Sequence, residues 1–232
     1  MKRNGKPSSV LAAAFAASIP VLLGYVTIGI AFGLLLVRSG LPWWLAPLMS
    51  VVIYAGAAQF MAVGLFAAGT GLLEIAALTL FLNARHAVYG LSLLDRFAPF
   101  RRHKPYLVYA LTDETYGILT TVEPPEGGHR GAFYTAVSAL DQSYWVLGTA
   151  VGAIVGGLIP FDTTGLDFAL TALFIVLLVE QTRTVRQSLP YLVAAFSTAV
   201  SLLAIGPKNL LIASICLAIL LIFPFRKRLK NA

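Results

Sequence analysis

Eight long apolar runs follow one another along the chain, at 9–37, 44–69, 72–94, 105–122, 131–159, 166–180, 189–205 and 209–223. A hydrocarbon core about 30 Å thick takes roughly 20 apolar residues in helix, so runs of this length and number belong in lipid. Strong breakers separate most of them: Gly40-Leu41-Pro42, Gly69-Thr70-Gly71, Pro99 with Arg101-Arg102-His103-Lys104-Pro105, Glu123-Pro124-Pro125-Glu126-Gly127-Gly128, Pro160-Phe161-Asp162 and Gly206-Pro207-Lys208. Only 12% of residues are charged and 58% are hydrophobic, against about 25% charged in soluble domains. Too few polar side chains exist to coat a water-exposed globule, which excludes a soluble enzyme, a disordered tail and a fibrous repeat. Backbone groups find no water in hydrocarbon, so each run must close its own hydrogen bonds as a helix. Strand alternation is absent, which argues against an outer-membrane barrel. The expected fold is all-α, a polytopic integral membrane helical bundle of about 6–8 segments, some broken or re-entrant. It forms a single domain over 1–232 in the plasma membrane.

The formal charge is +7. The basic residues sit mainly at the ends and in short loops, as cytoplasmic membrane flanks do, so nucleic acid is not an expected partner. The single cysteine, Cys216, lies in an apolar run and supports neither a disulfide framework nor a thiolate metal set. Met1-Lys2-Arg3-Asn4-Gly5-Lys6 imitates the start of a signal peptide. The apolar run behind it continues to Val37, too long for a cleaved segment, and reads as the first membrane helix.

Counting Lys and Arg tests orientation. If all eight runs cross from a cytoplasmic N-terminus, the inside flanks hold ten basic residues and the outside six, with the 96–104 cluster outside. If one of the first three runs and 105–122 do not cross, the count becomes fourteen against two. The positive-inside rule favours the second arrangement, with both termini cytoplasmic. The expected non-crossing segments are 44–69, interrupted around Gly56, and 105–122, which carries two acids. A weak internal repeat is also visible. Gly24, Gly29 and Gly33 stud the first run, and Gly148, Gly152 and Gly156 the fifth. Ala58-Gln59-Phe60 and Ala172-Leu173-Phe174 follow in turn. Duplicated halves are common in transporters, with sites at the repeat interface.

Ionisable residues inside membrane runs cost about 2.5–3.5 kcal/mol each at mid-bilayer and normally face the bundle interior. Four places carry polar groups. In Asn83-Ala84-Arg85-His86, Thr79, Asn83 and His86 share a helical face, while Arg85 points elsewhere. Arg85 needs an acid, or could clamp a substrate carboxylate; His86 suits proton relay. In Thr112-Asp113-Glu114-Thr115-Tyr116 two adjacent acids cannot both face lipid, and Tyr109, Asp113 and Tyr116 are expected on one face. At least one acid should be protonated, hydrated or paired with Arg85. In Asp141-Gln142, Gln142 sits near one face with Trp145, Gly152 and Gly156, whose small residues permit close helix approach; Asp141 could meet a cation or a substrate amine. Tyr54-Ala55-Gly56-Ala57-Ala58-Gln59-Phe60 reads as a helix break whose freed backbone could bind a zwitterion. One buried Arg against Asp113, Glu114 and Asp141 leaves a surplus of acid, suited to a proton or an ammonium group. No catalytic or phosphate-binding motif is present, and no cofactor or metal is expected.

At these motifs the sequence resembles the AzlC family, the large subunit of bacterial branched-chain amino acid exporters. Gly24-Tyr25 with Gly29 and Gly33, the Tyr54 to Phe60 segment, Asn83-Ala84-Arg85-His86, Asp113-Glu114-Thr115-Tyr116 and Gly165-Leu166-Asp167-Phe168-Ala169 with Ala172-Leu173-Phe174 carry the resemblance. It implies efflux of hydrophobic amino acids, work with a small AzlD-like membrane subunit, and drive by the proton gradient. The residues expected to bind substrate are Tyr25, Gly56, Gln59, Asn83, Arg85, Asp141 and Gln142. His86, Asp113, Glu114 and Tyr116 are expected to handle protons. All of them should surround one polar chamber midway through the bilayer. A non-transporting assembly or sensor subunit, or a channel for small solutes, are the alternatives.

Overall fold

The computed structural model describes residues 10–67, 69–125, 130–158, 187–206 and 210–225, with Ile175, Leu178, Val179 and Thr182 between them. Outside these lie the Gly165 to Ala169 stretch, the Ala172-Leu173-Phe174 half of the repeat, and part of the charge count: Lys2, Arg3, Lys6, Arg183, Arg186, Lys208 and the residues from Arg226 onward. Every regular element among the described residues is helical.

The first run folds as α1, Val10–Arg38, 29 residues without an internal acid or base before Arg38. Among the described residues it is the one helix long and apolar enough to cross a membrane. The second run is broken. α2, Leu45–Val52, ends in Ile53–Ala55, and α3 resumes at Gly56–Ala67. The turn is made by Tyr54, whose φ of 44° lies in the left-handed region that costs an L-residue about 1–2 kcal/mol. Its N–H and that of Ile53 both bond the Met49 carbonyl, tying off the end of α2. The sequence placed the break around Gly56; the backbone turns just before it. Gly56 opens α3 instead, where an added Cβ would stand 3.0 Å from the Trp145 indole.

α4 spans Leu72–Phe97. The fourth run also divides, into α5, Lys104–Tyr109, and α6, Asp113–Thr121. Thr112 caps α6, its hydroxyl accepting from the Thr115 N–H, and two acids occupy the first turn, where the helix dipole favours them. The division at 110–112 overturns one expectation. Tyr109 belongs to α5 and Asp113 and Tyr116 to α6, so the three do not share a single helical face.

The long α7, Arg130–Leu158, packs along α1. Their glycines explain how. A Cβ on Gly148 would stand 2.8 Å from the Val26 carbonyl, and one on Gly29 3.0 Å from the Thr149 nitrogen. At Gly33 and Gly152 it would collide with backbone of Thr149 and Ala153, and of Ile30. Small residues let two backbones touch where lipid supplies no hydrophobic drive. The contacts climb in step, Val26 with Gly148, Ile30 with Gly152, Leu34 with Gly156, so the two helices run parallel. Gly29 and Gly33 of the first glycine string therefore face the second, while Gly24 has open space beside it. α1 to α3, most of α4, and α5 to α7 fall in one compact unit; Gly71–Leu78 and the chain from Leu170 onward fall in a second. In the second, α8, Leu189–Ile205, turns at Gly206 (φ 83°) and α9, Leu210–Ile222, packs back on it.

Candidate functional site

Two polar clusters form in the first unit, both organised by the broken segments. The first sits in the core between α2, α3 and α7. Ser50, Gln59 and Thr149 are fully buried. Trp145 Nε1 donates to Gln59 Oε1 at 2.9 Å, Gln59 Nε2 donates to Ser50 Oγ at 3.1 Å, and Ser50 Oγ meets Thr149 Oγ1 at 2.9 Å. Both ends of the Gln59 amide are thus engaged within the protein. That assigns Gln59 to joining α3 to α2 and α7, at a net gain of about 1 kcal/mol per bond.

The second cluster centres on Asp141 of α7, which has no exposed surface. Thr115 Oγ1 donates to its Oδ2 at 2.7 Å. Its Oδ1 is buried without a partner, as are Tyr54 Oη and Ser138 Oγ one turn earlier on α7. Thr115 also meets Thr112 Oγ1 at 3.1 Å. Tyr25 Oη of α1 lies 2.7 Å from both Thr112 Oγ1 and Glu114 Oε2. The Tyr25 ring is held edge-on to Trp145 at 5.4 Å between centroids. Gln142 is half-buried one residue beyond Asp141 and faces the phenols of α5. Its Oε1 accepts from Tyr106 Oη at 2.8 Å and its Nε2 reaches Tyr109 Oη at 3.4 Å. Tyr109 Oη donates in turn to the Val51 carbonyl of α2, so the two breaks are tied together.

Arg85 and His86 stand apart from Asp141. Arg85 Nη1 pairs with Asp113 Oδ2 at 2.6 Å, each side chain about one-third exposed (34% and 33%). Arg85 Nε, Asp113 Oδ1 and Asn83 Oδ1 keep no partner. His86 is half-buried and tilts against Tyr89 at 6.2 Å. Tyr116 stacks on the Tyr89 ring at 4.5 Å and accepts a bond from Ser92 Oγ. These residues form a partly open seam between α4 and α6.

The single chamber expected from the sequence is therefore three places, the Gln59 network by itself and the Asp141 cluster and Arg85 seam joined by the first turn of α6. Asp113 points to Arg85, Glu114 to Tyr25 and Thr115 to Asp141. The surplus of three buried acids shrinks as well. Asp141 is fully buried, Asp113 is partly exposed and ion-paired, and Glu114 is exposed at one end of the hydroxyl chain. Ser50, Thr149, Ser138 and Tyr106 escaped the sequence reading. Their one available signal was a hydroxyl in an apolar run, and such hydroxyls usually bond their own helix, as Ser50 does to Ala46 and Thr149 to Val146. Among the described residues no cluster of His, Cys, Asp and Glu could hold a metal.

The sequence pattern of a family described as "AzlC protein" matches residues 20–159. An uncharacterized membrane protein of Helicobacter pylori strain 26695 is 40% identical over 94% of this chain and 95% of its own. The "Branched-chain amino acid transport protein AzlC" of Bacillus subtilis is 32% identical over all of this chain and 91% of its own. The "Inner membrane protein YgaZ" of Escherichia coli is 35% identical over 68% of this chain and 67% of its own. No solved structure matches.

Proposed function

The chain belongs to the AzlC family of membrane proteins, and from that premise we propose that it is the large subunit of an exporter of hydrophobic, branched-chain amino acids. It works by alternating access in the plasma membrane, with both termini cytoplasmic, together with a small AzlD-like membrane subunit, and is driven by the proton gradient. The name borne by the full-length Bacillus relative supports the substrate class.

The observation that carries the mechanism is Asp141. An ionised carboxylate buried without a cation costs several kcal/mol, so Asp141 either takes up a proton or meets a cationic group. Its free Oδ1 is the acceptor for the substrate ammonium. Tyr54 Oη, buried beside Thr115 and Asp141, is the donor for the substrate carboxylate. It sits in the break between α2 and α3, as substrate sites of broken-helix transporters do. Arg85, occupied by Asp113, holds α4 to α6 and with His86 and Tyr116 lines the more open seam. The test is counterflow in proteoliposomes against a panel of amino acids, with and without the small subunit. Labelled leucine, isoleucine and valine should exchange and saturate. Flux that never saturates would indicate a channel, and no flux with the subunit present would defeat the proposal.

A further inference from the structure

The chain of hydroxyls between Glu114 and Asp141 has a property beyond holding helices together. Tyr25 has one proton and two acceptors at 2.7 Å. Thr115 gives its proton to Asp141, and Thr112 gives its own to Thr115. Thr112 then has none left for Tyr25, so Tyr25 must donate to Thr112. The Tyr25–Glu114 contact is a hydrogen bond in that state only if Glu114 carries a proton and donates it. The complete set therefore reads Glu114 to Tyr25 to Thr112 to Thr115 to Asp141, every donor used. Reversing all four bonds gives an equally complete set, with the proton on Asp141 and Glu114 ionised.

We infer that Tyr25, Thr112 and Thr115 form a hydroxyl relay carrying a proton between Glu114, at the exposed edge of α6, and the buried Asp141. A proton from water adds to the ionised Glu114. Its O–H bond then breaks as a bond forms to Tyr25 Oη, which passes its own proton to Thr112 Oγ1. Thr112 passes one to Thr115 Oγ1, and Thr115 passes one to Asp141 Oδ2. Glu114 ends ionised, Asp141 ends neutral, and each hydroxyl keeps one hydrogen. The groups facing the path are acids and phenols. Tyr54 from the α2–α3 break, Tyr106 from α5 and Glu114 from α6 face Asp141. Asp113 sits beside Glu114, and Tyr54 also faces Tyr25. Neutralising Asp141 removes its hold on an ammonium group, so a proton arriving by this route expels a bound amino acid. That last step rests on the proposed export function; the relay itself does not.

The relay is tested by substrate-independent infrared spectroscopy on the purified full-length protein in lipid. After an acid jump the carboxylic C=O band of Asp141, assigned as the one missing in Asp141→Asn, is followed in time. Tyr25→Phe keeps the ring against Trp145, and Thr115→Val keeps the shape of Thr115. Each should slow the band about 100-fold, the low end of what a positioned proton donor contributes. Thr115→Ser, which restores the hydroxyl, should return wild-type kinetics. Wild-type rates in Tyr25→Phe and Thr115→Val would overturn the relay, as would failure of Thr115→Ser to rescue. Where the wild type also exchanges leucine, pH-driven uptake should fall in Tyr25→Phe and Thr115→Val and return in Thr115→Ser. A wild type that moves no leucine would sink the export reading alone, because the infrared rates still decide the relay.

Discussion

Gly152→Ala is the sharpest test of the packing that positions the site. The added methyl would enter the Ile30 carbonyl of α1, with the Ile30 Cα and C both 2.7 Å away. All three atoms are backbone, so no rotamer change relieves the clash and α1 must move from α7 by roughly 1 Å, about what restores ordinary carbon contact near 3.5–4.0 Å. Overpacking of this kind costs about 1–3 kcal/mol, occasionally more. The displaced α1 also carries Ser18, which meets Tyr144 at 3.1 Å, and Tyr25, which meets Thr112. Losing one such bond adds about 1 kcal/mol, for a total of about 3 kcal/mol. Gly157→Ala is the internal control, since nothing lies within 4 Å of its Cβ. Removing a helical glycine there should be neutral or stabilise by up to about 1 kcal/mol. Thermal unfolding of the two purified variants in one detergent should differ by roughly 6–12 °C on the scale of soluble domains this size. Equal midpoints would mean that α1 and α7 do not meet along this ridge.

Gln59→Leu strands the Trp145 N–H in the core, while Ser50 keeps Ala46 and Thr149, and should cost about 1–3 kcal/mol by the same unfolding assay. Arg85→Ala should abolish efflux while the protein stays in the membrane; normal efflux would remove Arg85 from the mechanism. Exchanging the partners, as Arg85→Asp with Asp113→Arg, should recover part of the activity if the pair joins α4 to α6. Asp141→Asn keeps an acceptor for Thr115 but removes the charge, and should eliminate leucine counterflow without changing yield. With Cys216 replaced, a cysteine introduced beside Arg101 should react with a membrane-impermeant reagent only from the cytoplasmic face.

The sequence showed that the described runs are helices and that 44–69 is interrupted, because glycines leave their mark in composition, whereas 105–122 stood out for its two acids and not as a broken helix. It misplaced the first interruption because Gly56 looks like the obvious pivot. The pivot is Tyr54, whose left-handed backbone is held by tertiary packing and has no local signature. The second interruption falls at Ala110-Leu111-Thr112, which has no glycine or proline; only the Thr112 cap before two acids hinted at a new helix start. That Arg85 could take an acid partner was legible, since an arginine in such a run needs one, but the choice of Asp113 over Glu114 and Asp141 was not. The route from Glu114 to Asp141 was not, because it depends on which hydroxyls of three different helices come within 3 Å, and spacing along one chain cannot report that.

The parallel course of α1 and α7 sets a parity on everything between them. Two neighbours pointing the same way through a sheet of lipid oblige the intervening chain to traverse it an odd number of times. If α4 makes one traverse, α2–α3 and α5–α6 must share a fate: both pass through, or both turn back. Mixed outcomes are barred, so probing the side on which Arg101 emerges settles the two interrupted segments at once.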